Sequence, residues 1–200
     1  MIAKNIMKHL LIKILFISFL SSSIPPHSYN DWEILQDNKI WVGYTQTDFT
    51  WCKSSSIFNY SIDEILEIVE DIENYYVIFD SIVSSSKNKD DVIHIMVDYP
   101  IPLSDRDYVV KFYKLLEDNT TIYRFHSDSS FNIPTNDDYI RLNNAAGEWR
   151  LVNLKNGQTK VSYTWNGELK GMLPLWIYKR AWLKQGNEIM INLEERLANK

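Results

Sequence analysis

A change of period along the chain constrains its fold more than any other feature. From residue 82 onward, apolar side chains recur at every second position. Ile93, Ile95 and Val97 alternate with His94, Met96 and Asp98, and Tyr108, Val110 and Phe112 alternate with Val109, Lys111 and Tyr113. Similar runs follow at residues 122–125, 139–142, 148–154 and 159–165. Period two belongs to strands that bury one face, so this stretch predicts a meander of about six or seven antiparallel strands. The connections at 86–91, 117–120 and Asn156-Gly157 are short and polar, as hairpins require. Residues 127–138 are longer and carry Pro134, which predicts a mobile loop. After Gly171 and Pro174 the period becomes helical. Leu175, Tyr178, Trp182, Ile189, Leu193 and Leu197 then define one face of a helix of roughly 20 to 25 residues that must lie on the sheet. Gly186 falls inside that helix, where glycine is costly, and implies a close approach or a bend.

The first half of the chain adds two or three strands over residues 31–60, carried by Trp32, Ile34, Ile40, Val42, Tyr44, Phe49, Trp51, Ile57 and Tyr60. Ser61-Ile62-Asp63-Glu64 then reads as a capping box. Ile62, Ile65, Leu66, Val69 and Ile72 follow at helical spacing with acidic residues on the other side. The first 28 residues read as a secretory signal: Lys4, Lys8 and Lys13, the apolar run 14–20, then Ser21 to Ser23 and Pro25-Pro26. That run falls short of the ~20 residues of a membrane span. The expectation is therefore an exported protein, periplasmic or secreted, with a folded domain over 29–200. An uncleaved segment serving as a membrane anchor is the alternative.

With 200 residues the chain is long enough for one core. A net charge of -5 gives no broad cationic surface for nucleic acid. The 7 Trp, 12 Tyr and 8 Phe suit a β-rich core. Cys52 is the single cysteine, so no internal disulfide forms, and it is read as a plain small residue of core or surface. No phosphate-binding glycine loop and no nucleophile elbow occurs. His94 and His126 do not stand at metal-ligand spacing with each other or with Cys52. Neither a metal nor a cofactor is expected.

The residue order carries a resemblance. Residues 99–110, Tyr-Pro-Ile-Pro-Leu-Ser-Asp-Arg-Asp-Tyr-Val-Val, place a proline-containing turn before Arg106-Asp107 and an apolar strand. Gly147-Glu148-Trp149, Tyr163-Thr164-Trp165 and the pair Gly171 and Pro174 follow. Together these segments resemble the START domain family, within the wider polyketide-cyclase-like superfamily, over roughly residues 32 to 198. The resemblance implies an α+β helix-grip fold, in which a curved antiparallel sheet wraps a long C-terminal helix and a shorter helix lies between the early strands and the meander. Two departures stand out: the long N-terminal helix of many eukaryotic members is missing, and Phe112 stands where sterol-binding members carry a second basic residue.

The resemblance further implies a tunnel between sheet and helix that holds a lipid or another apolar small molecule. Strand parity and helix face then nominate Ile95, Val110, Phe112, Phe125, Trp149, Leu151, Trp165, Trp182, Ile189 and Met190 as core or cavity-lining residues. Arg106 and Asp107, adjacent opposite charges opening an apolar strand, are the sharpest polar candidates. They read either as a structural salt bridge or turn anchor, or with Arg106 or Asp105 at the cavity mouth meeting a headgroup. Glu148 and Arg150 are candidates for a charge near the cavity. The loop 127–138 and residues 167–174 are expected to flank the opening. Leu169, Met172, Leu173, Leu175 and Trp176 form an apolar set there, suited to transient membrane contact. The expected function is a monomeric, non-enzymatic carrier. An enzyme of the cyclase or hydrolase kind would need titratable groups deep in the tunnel, and a filled core would leave less than the ~300 Å3 of ordinary ligand sites.

Overall fold

The computed structural model describes residues 24–200 except 129, 132 and 136, so most of the expected signal segment lies outside the described residues. Three strands come first, β1 (Glu33–Asp37), β2 (Trp41–Gln46) and β3 (Thr50–Phe58). Helix α1 (Ile62–Val69), a 3-10 turn (Ile72–Asn74) and the single turn α2 (Tyr75–Ile78) follow. The meander then comprises β4 (Ile82–Lys87), β5 (Val92–Val97), β6 (Asp105–Glu117), β7 (Thr120–Ser127), β8 (Tyr139–Arg141), β9 (Ala146–Asn153) and β10 (Thr159–Asn166), before α3 (Leu175–Ala198) closes the chain. One curved ten-stranded sheet results, in the order β1-β2-β3-β10-β9-β7-β6-β5-β4. The early strands therefore join the end of the meander through the β3–β10 pair, with Cys52 opposite Trp165.

The meander is antiparallel except at β8, which pairs in parallel with β6 through Asp105–Asp107. The reason lies in register. Strand β7 covers β6 only from Val110 to Glu117, and the loop after β7 gives the chain enough length to return along the bare start of β6. That loop is tied to the outer face of the sheet, where Lys111 lies 4.9 Å from the Phe131 ring and Arg141 donates to the Ile133 carbonyl at 3.2 Å.

The capping box forms: the Ser61 hydroxyl accepts from the Glu64 amide at 3.3 Å, and the Glu64 carboxylate accepts from the Ser61 amide at 2.8 Å. Helix α1 is shorter than its spacing predicts and ends at Val69, because the Tyr75 hydroxyl takes the Val69 carbonyl that another helical turn would have used. Ile72 stays buried but on the 3-10 turn.

Helix α3 lies across the concave face. Trp182, Ile189, Met190, Leu193 and Leu197 are buried beneath it, which contributes on the order of 10 kcal/mol before ordering entropy. Leu175 is exposed and Tyr178 only half-buried, because the first turn of α3 lies beside residues 100–103 instead of over the sheet. Gly186 is where helix and sheet touch most closely: a Cβ there would come within 2.9 and 3.1 Å of the Val42 methyls and 3.3 Å of Ser54 Cβ. Among the described residues, no helix is long and apolar enough to cross a membrane.

Candidate functional site

Parity along the central strands aims Ile95 and Val97 (β5), Tyr108 and Phe112 (β6), Phe125 (β7), Trp149 (β9) and Tyr163 (β10) at the concave face. Gln185 and Ile189 of α3 face them, and Tyr75, Phe79, Ser81 and Ile82 close one side. Between these walls lies a cavity of about 40 Å3. Its floor is a continuous set of rings. Tyr163 meets Trp149 at 4.5 Å between centroids, Phe112 meets Phe125 at 5.1 Å, and Phe79 stacks on Trp149 at 6.0 Å and meets Tyr75 edge-on at 5.0 Å. Such contacts add to simple area burial and fix ring orientation.

Among the described residues, no Asp, Glu, His, Lys, Arg or Cys lines this cavity. Its ionisable groups are phenols, and burial pushes the hydroxyls of Tyr75, Tyr108 and Tyr163 well above the ordinary value of 10.0. They remain protonated at neutral pH, and the Tyr75 hydroxyl donates to the Val69 carbonyl. No group of three or more His, Cys, Asp or Glu among the described residues is placed to hold a metal ion.

Two further hollows lie next to the cavity. Beside the cavity a constriction of about 10 Å3 shares Ser81, Val97 and Gln185 with it. The same constriction shares Pro100, Ala181 and Lys184 with an open groove of about 570 Å3 between residues 100–103 and the start of α3. Two contacts span the constriction: the Tyr99 hydroxyl donates to Gln185 Oε1 at 3.4 Å, and the Ser81 amide donates to Glu188 Oε1 at 2.7 Å. Burial pushes the Tyr99 phenol up to about 12. Around the groove Ile101 is 96% exposed, Met172 101%, Trp176 58% and Leu175 45%. Of the apolar set expected at this end, Leu169 is instead buried and Leu173 half-buried.

The family model for the START domain matches residues 67–187, more than half of the chain. The chain belongs to the START domain family. Its fold is likewise similar to solved START structures. A STAR-related lipid transfer protein from Xanthomonas axonopodis superposes with a TM-score of 0.72 at 17% identity, covering 84% of this chain and 99% of that one. Human StAR-related lipid transfer protein 5 gives 0.71 at 14% identity, covering 86% and 89%. In sequence, an uncharacterized protein of Pseudomonas aeruginosa is 32% identical over 82 residues, which span 40% of this chain and 40% of that relative.

Within this START domain, five of the nominated residues line the cavity: Ile95, Phe112, Phe125, Trp149 and Ile189. Val110, Leu151, Trp165, Trp182 and Met190 lie in the surrounding core without reaching it. Trp182 instead holds the loop before α3, its indole N–H donating to the Gly167 carbonyl at 3.0 Å. Arg106 is a buried anchor. Its Nε and Nη2 donate to the Leu169 carbonyl at 3.0 and 2.6 Å, Nη2 also reaches the Lys170 carbonyl at 3.3 Å, and Nη1 is buried without a partner. Asp105 anchors the turn before it, accepting from the Tyr99 amide at 3.1 Å.

Glu148 and Arg150 place no charge in the cavity. They sit on the opposite face of β9 from Trp149, where Glu148 takes Arg124 at 2.6 Å and Arg150 at 3.2 Å. Asp107 likewise faces outward, between Arg141 at 2.7 Å and His94 at 2.8 Å. The sequence reading missed Val97 and Tyr108 as lining residues, although they share the parity of Ile95 and Val110. It also missed Tyr163, the α2–β4 residues and Gln185, whose positions depend on where the helix crosses the sheet.

Proposed function

We propose that this START domain carries an apolar molecule in the cavity between its sheet and α3, without changing it chemically. The observation that carries this reading is an aromatic cavity between sheet and helix lined, among the described residues, by no side chain that is charged or basic at neutral pH. Apolar burial then supplies affinity, at ~0.8 kcal/mol per methylene. The protonated phenols of Tyr108 and Tyr163 offer donors to an oxygen of the ligand. An acid–base enzyme would need a group poised near the operating pH, and these phenols are pushed away from it.

At about 40 Å3 the cavity lies below the ~300 Å3 of ordinary ligand sites, the size expected of a filled core, so a carrier of this fold loads only when its walls part. The helix is fixed to β2 and β3 at Gly186, and toward its C-terminal end Asn192 is tied to Asp80 at 3.2 Å, whereas Gln185 and Glu188 border the cavity and the constriction. The parting therefore takes place between α3 and residues 99–103, with exchange of the Tyr99–Gln185 and Ser81–Glu188 contacts. Ile101, Met172, Leu175 and Trp176 at this end suit transient insertion into a bilayer while the ligand moves. The basic and apolar leader read in the first 28 residues supports export of the carrier.

Native mass spectrometry of protein purified from an exporting host, followed by organic extraction, tests this reading. A stoichiometric apolar molecule and an N-terminus near residue 28 are expected. An empty protein that also binds neither a fluorescent fatty acid nor a fluorescent phospholipid would overturn the carrier reading, and an intact leader would overturn export.

A further inference from the structure

A second concave site lies on the other side of the sheet. On β3, Cys52 and Ser54 face α3, so Lys53, Ser55 and Ile57 face outward. There the segment before β1 crosses over, and an open groove of about 720 Å3 forms between Tyr29, Trp32 and Trp41 on one wall and Lys53, Ile57 and Lys160 on the other.

The aromatic wall is firmly held. The Tyr29 hydroxyl is 2.8 Å from Thr45 Oγ1, and the Trp32 indole donates to the Tyr29 carbonyl at 3.0 Å. Trp32 packs edge-on against both Tyr29 at 5.7 Å and Trp41 at 6.1 Å. Trp41 in turn lies flat on the strand, since a Cβ at Gly43 would come within 2.5 Å of its ring.

The charge of the groove is one-sided. In a chain of net charge -5, Lys39, Lys53 and Lys160 line it and, among the described residues, no Asp or Glu does. Lys39 is occupied by Glu194 at 2.7 Å. Lys53 is half-buried, and its ammonium lies over the Trp32 ring at 5.5 Å. The acid that acts on it, Glu148, is already shared by Arg124 and Arg150. Burial first, then the charge of Lys160, holds the Lys53 amine below the ordinary lysine value. A half-buried cation beside a second cation is costly until an anion joins them.

We propose that this groove is a second binding site, separate from the cavity, for a small amphipathic organic anion. Its carboxylate, sulfonate or phosphate head would lie between Lys53 and Lys160, and its ring or short hydrocarbon body would lie against Trp32, Trp41 and Ile57. The apolar wall requires the body as well as the charge, so a bare inorganic anion is a poor occupant.

The test uses 8-anilinonaphthalene-1-sulfonate and its uncharged sibling N-phenyl-1-naphthylamine on the full chain. The Lys53→Gln/Lys160→Gln variant should bind the sulfonate at least about tenfold more weakly and the neutral dye unchanged. In the unmodified protein, raising salt from about 0.05 to about 0.5 M should weaken only the sulfonate. Dodecyl phosphate should displace the sulfonate, and inorganic phosphate at the same concentration should not. Equal sulfonate affinity in the variant, equal salt response of the two dyes, or displacement by inorganic phosphate would each overturn the proposal. The neutral dye reports the interior cavity in the same preparation, so failure of the groove site and failure of the carrier reading are separately visible.

Discussion

At the scale of single residues, Gly186 shows how little room the fold leaves. Alanine there would gain about 1 kcal/mol of helix propensity. Its methyl would nonetheless meet Val42, whose β-branched side chain is fully buried and cannot swing aside. Overpacking of this kind costs about 1–3 kcal/mol, so Gly186→Ala is expected to lower stability by about 1 kcal/mol net, and Gly186→Ala/Val42→Ala should cost less than the sum of the single changes. Urea unfolding checks both, and an unchanged or raised midpoint for Gly186→Ala would show that helix and sheet separate freely. Asp107 is the second residue with a measurable signature. Burial pushes its carboxyl up, but hydrogen bonds from Arg141 and His94, and then their charge, outweigh burial and hold it below the ordinary 3.8. A carboxyl depressed in the fold adds stability above its ordinary value and loses it as pH falls through the depressed one. The protein should therefore lose stability below about pH 4, and Asp107→Asn should flatten that slope. The same change should cost about 3 kcal/mol at neutral pH by leaving Arg141 without its carboxylate. A variant with the same acid slope as the parent would remove Asp107 from the account.

At the scale of elements, the loop between β10 and α3 is held by side chains from elsewhere in the chain. Arg106 grasps the Leu169 and Lys170 carbonyls, Trp182 takes the Gly167 carbonyl, and the Lys170 ammonium reaches the Arg141 carbonyl at 2.7 Å. Arg106→Lys keeps the charge but loses the forked grasp. Amides of residues 168–171 are expected to exchange at least about tenfold faster in that variant while the sheet keeps its protection. Unchanged exchange would show that the loop is held without Arg106. This latch was only half legible in the sequence. The cost of an Arg-Asp pair at the head of an apolar strand pointed to an anchor, but backbone carbonyls leave no pattern in a sequence. The elements themselves were far more legible, because periods of two and of 3.6 follow directly from backbone geometry. Ser61 and Glu64 marked the start of α1, whereas its end depended on Tyr75, six residues beyond Val69 in the chain. The parallel pairing of β8 was likewise hidden, since it depends on where β7 stops covering β6. In the cavity, parity predicted Ile95, Phe112, Phe125 and Trp149. Gln185 remained out of reach because its role comes from the angle at which α3 crosses the strands.

At the scale of the whole molecule, the fold is asymmetric about α3. On the β2–β3 side the helix is locked in place by Gly186 and by the Trp182 ring, which lies 4.9 Å from Tyr44. On the other side Gln185, Glu188 and Ile189 border the cavity and its constriction. On the proposed carrier reading, opening takes place along that edge, where the Tyr99–Gln185 contact lies. Because the contact is long and joins neutral groups, its loss should cost no more than about 1 kcal/mol of stability. It should act on the barrier to ligand exchange, not on the loaded state. Tyr99→Phe is therefore expected to raise the association and dissociation rates of a fluorescent fatty acid together, each by about three- to tenfold, with Kd changed by less than about twofold. Bound ligand should raise the Tm of parent and variant alike, since at about 100 times Kd it adds about 2.7 kcal/mol. Stopped-flow mixing and thermal unfolding read the two effects separately. Faster exchange at constant Kd would place the passage between residues 99–103 and α3. A changed Kd at constant association rate would instead make Tyr99 part of the bound ligand's surroundings and move the passage elsewhere.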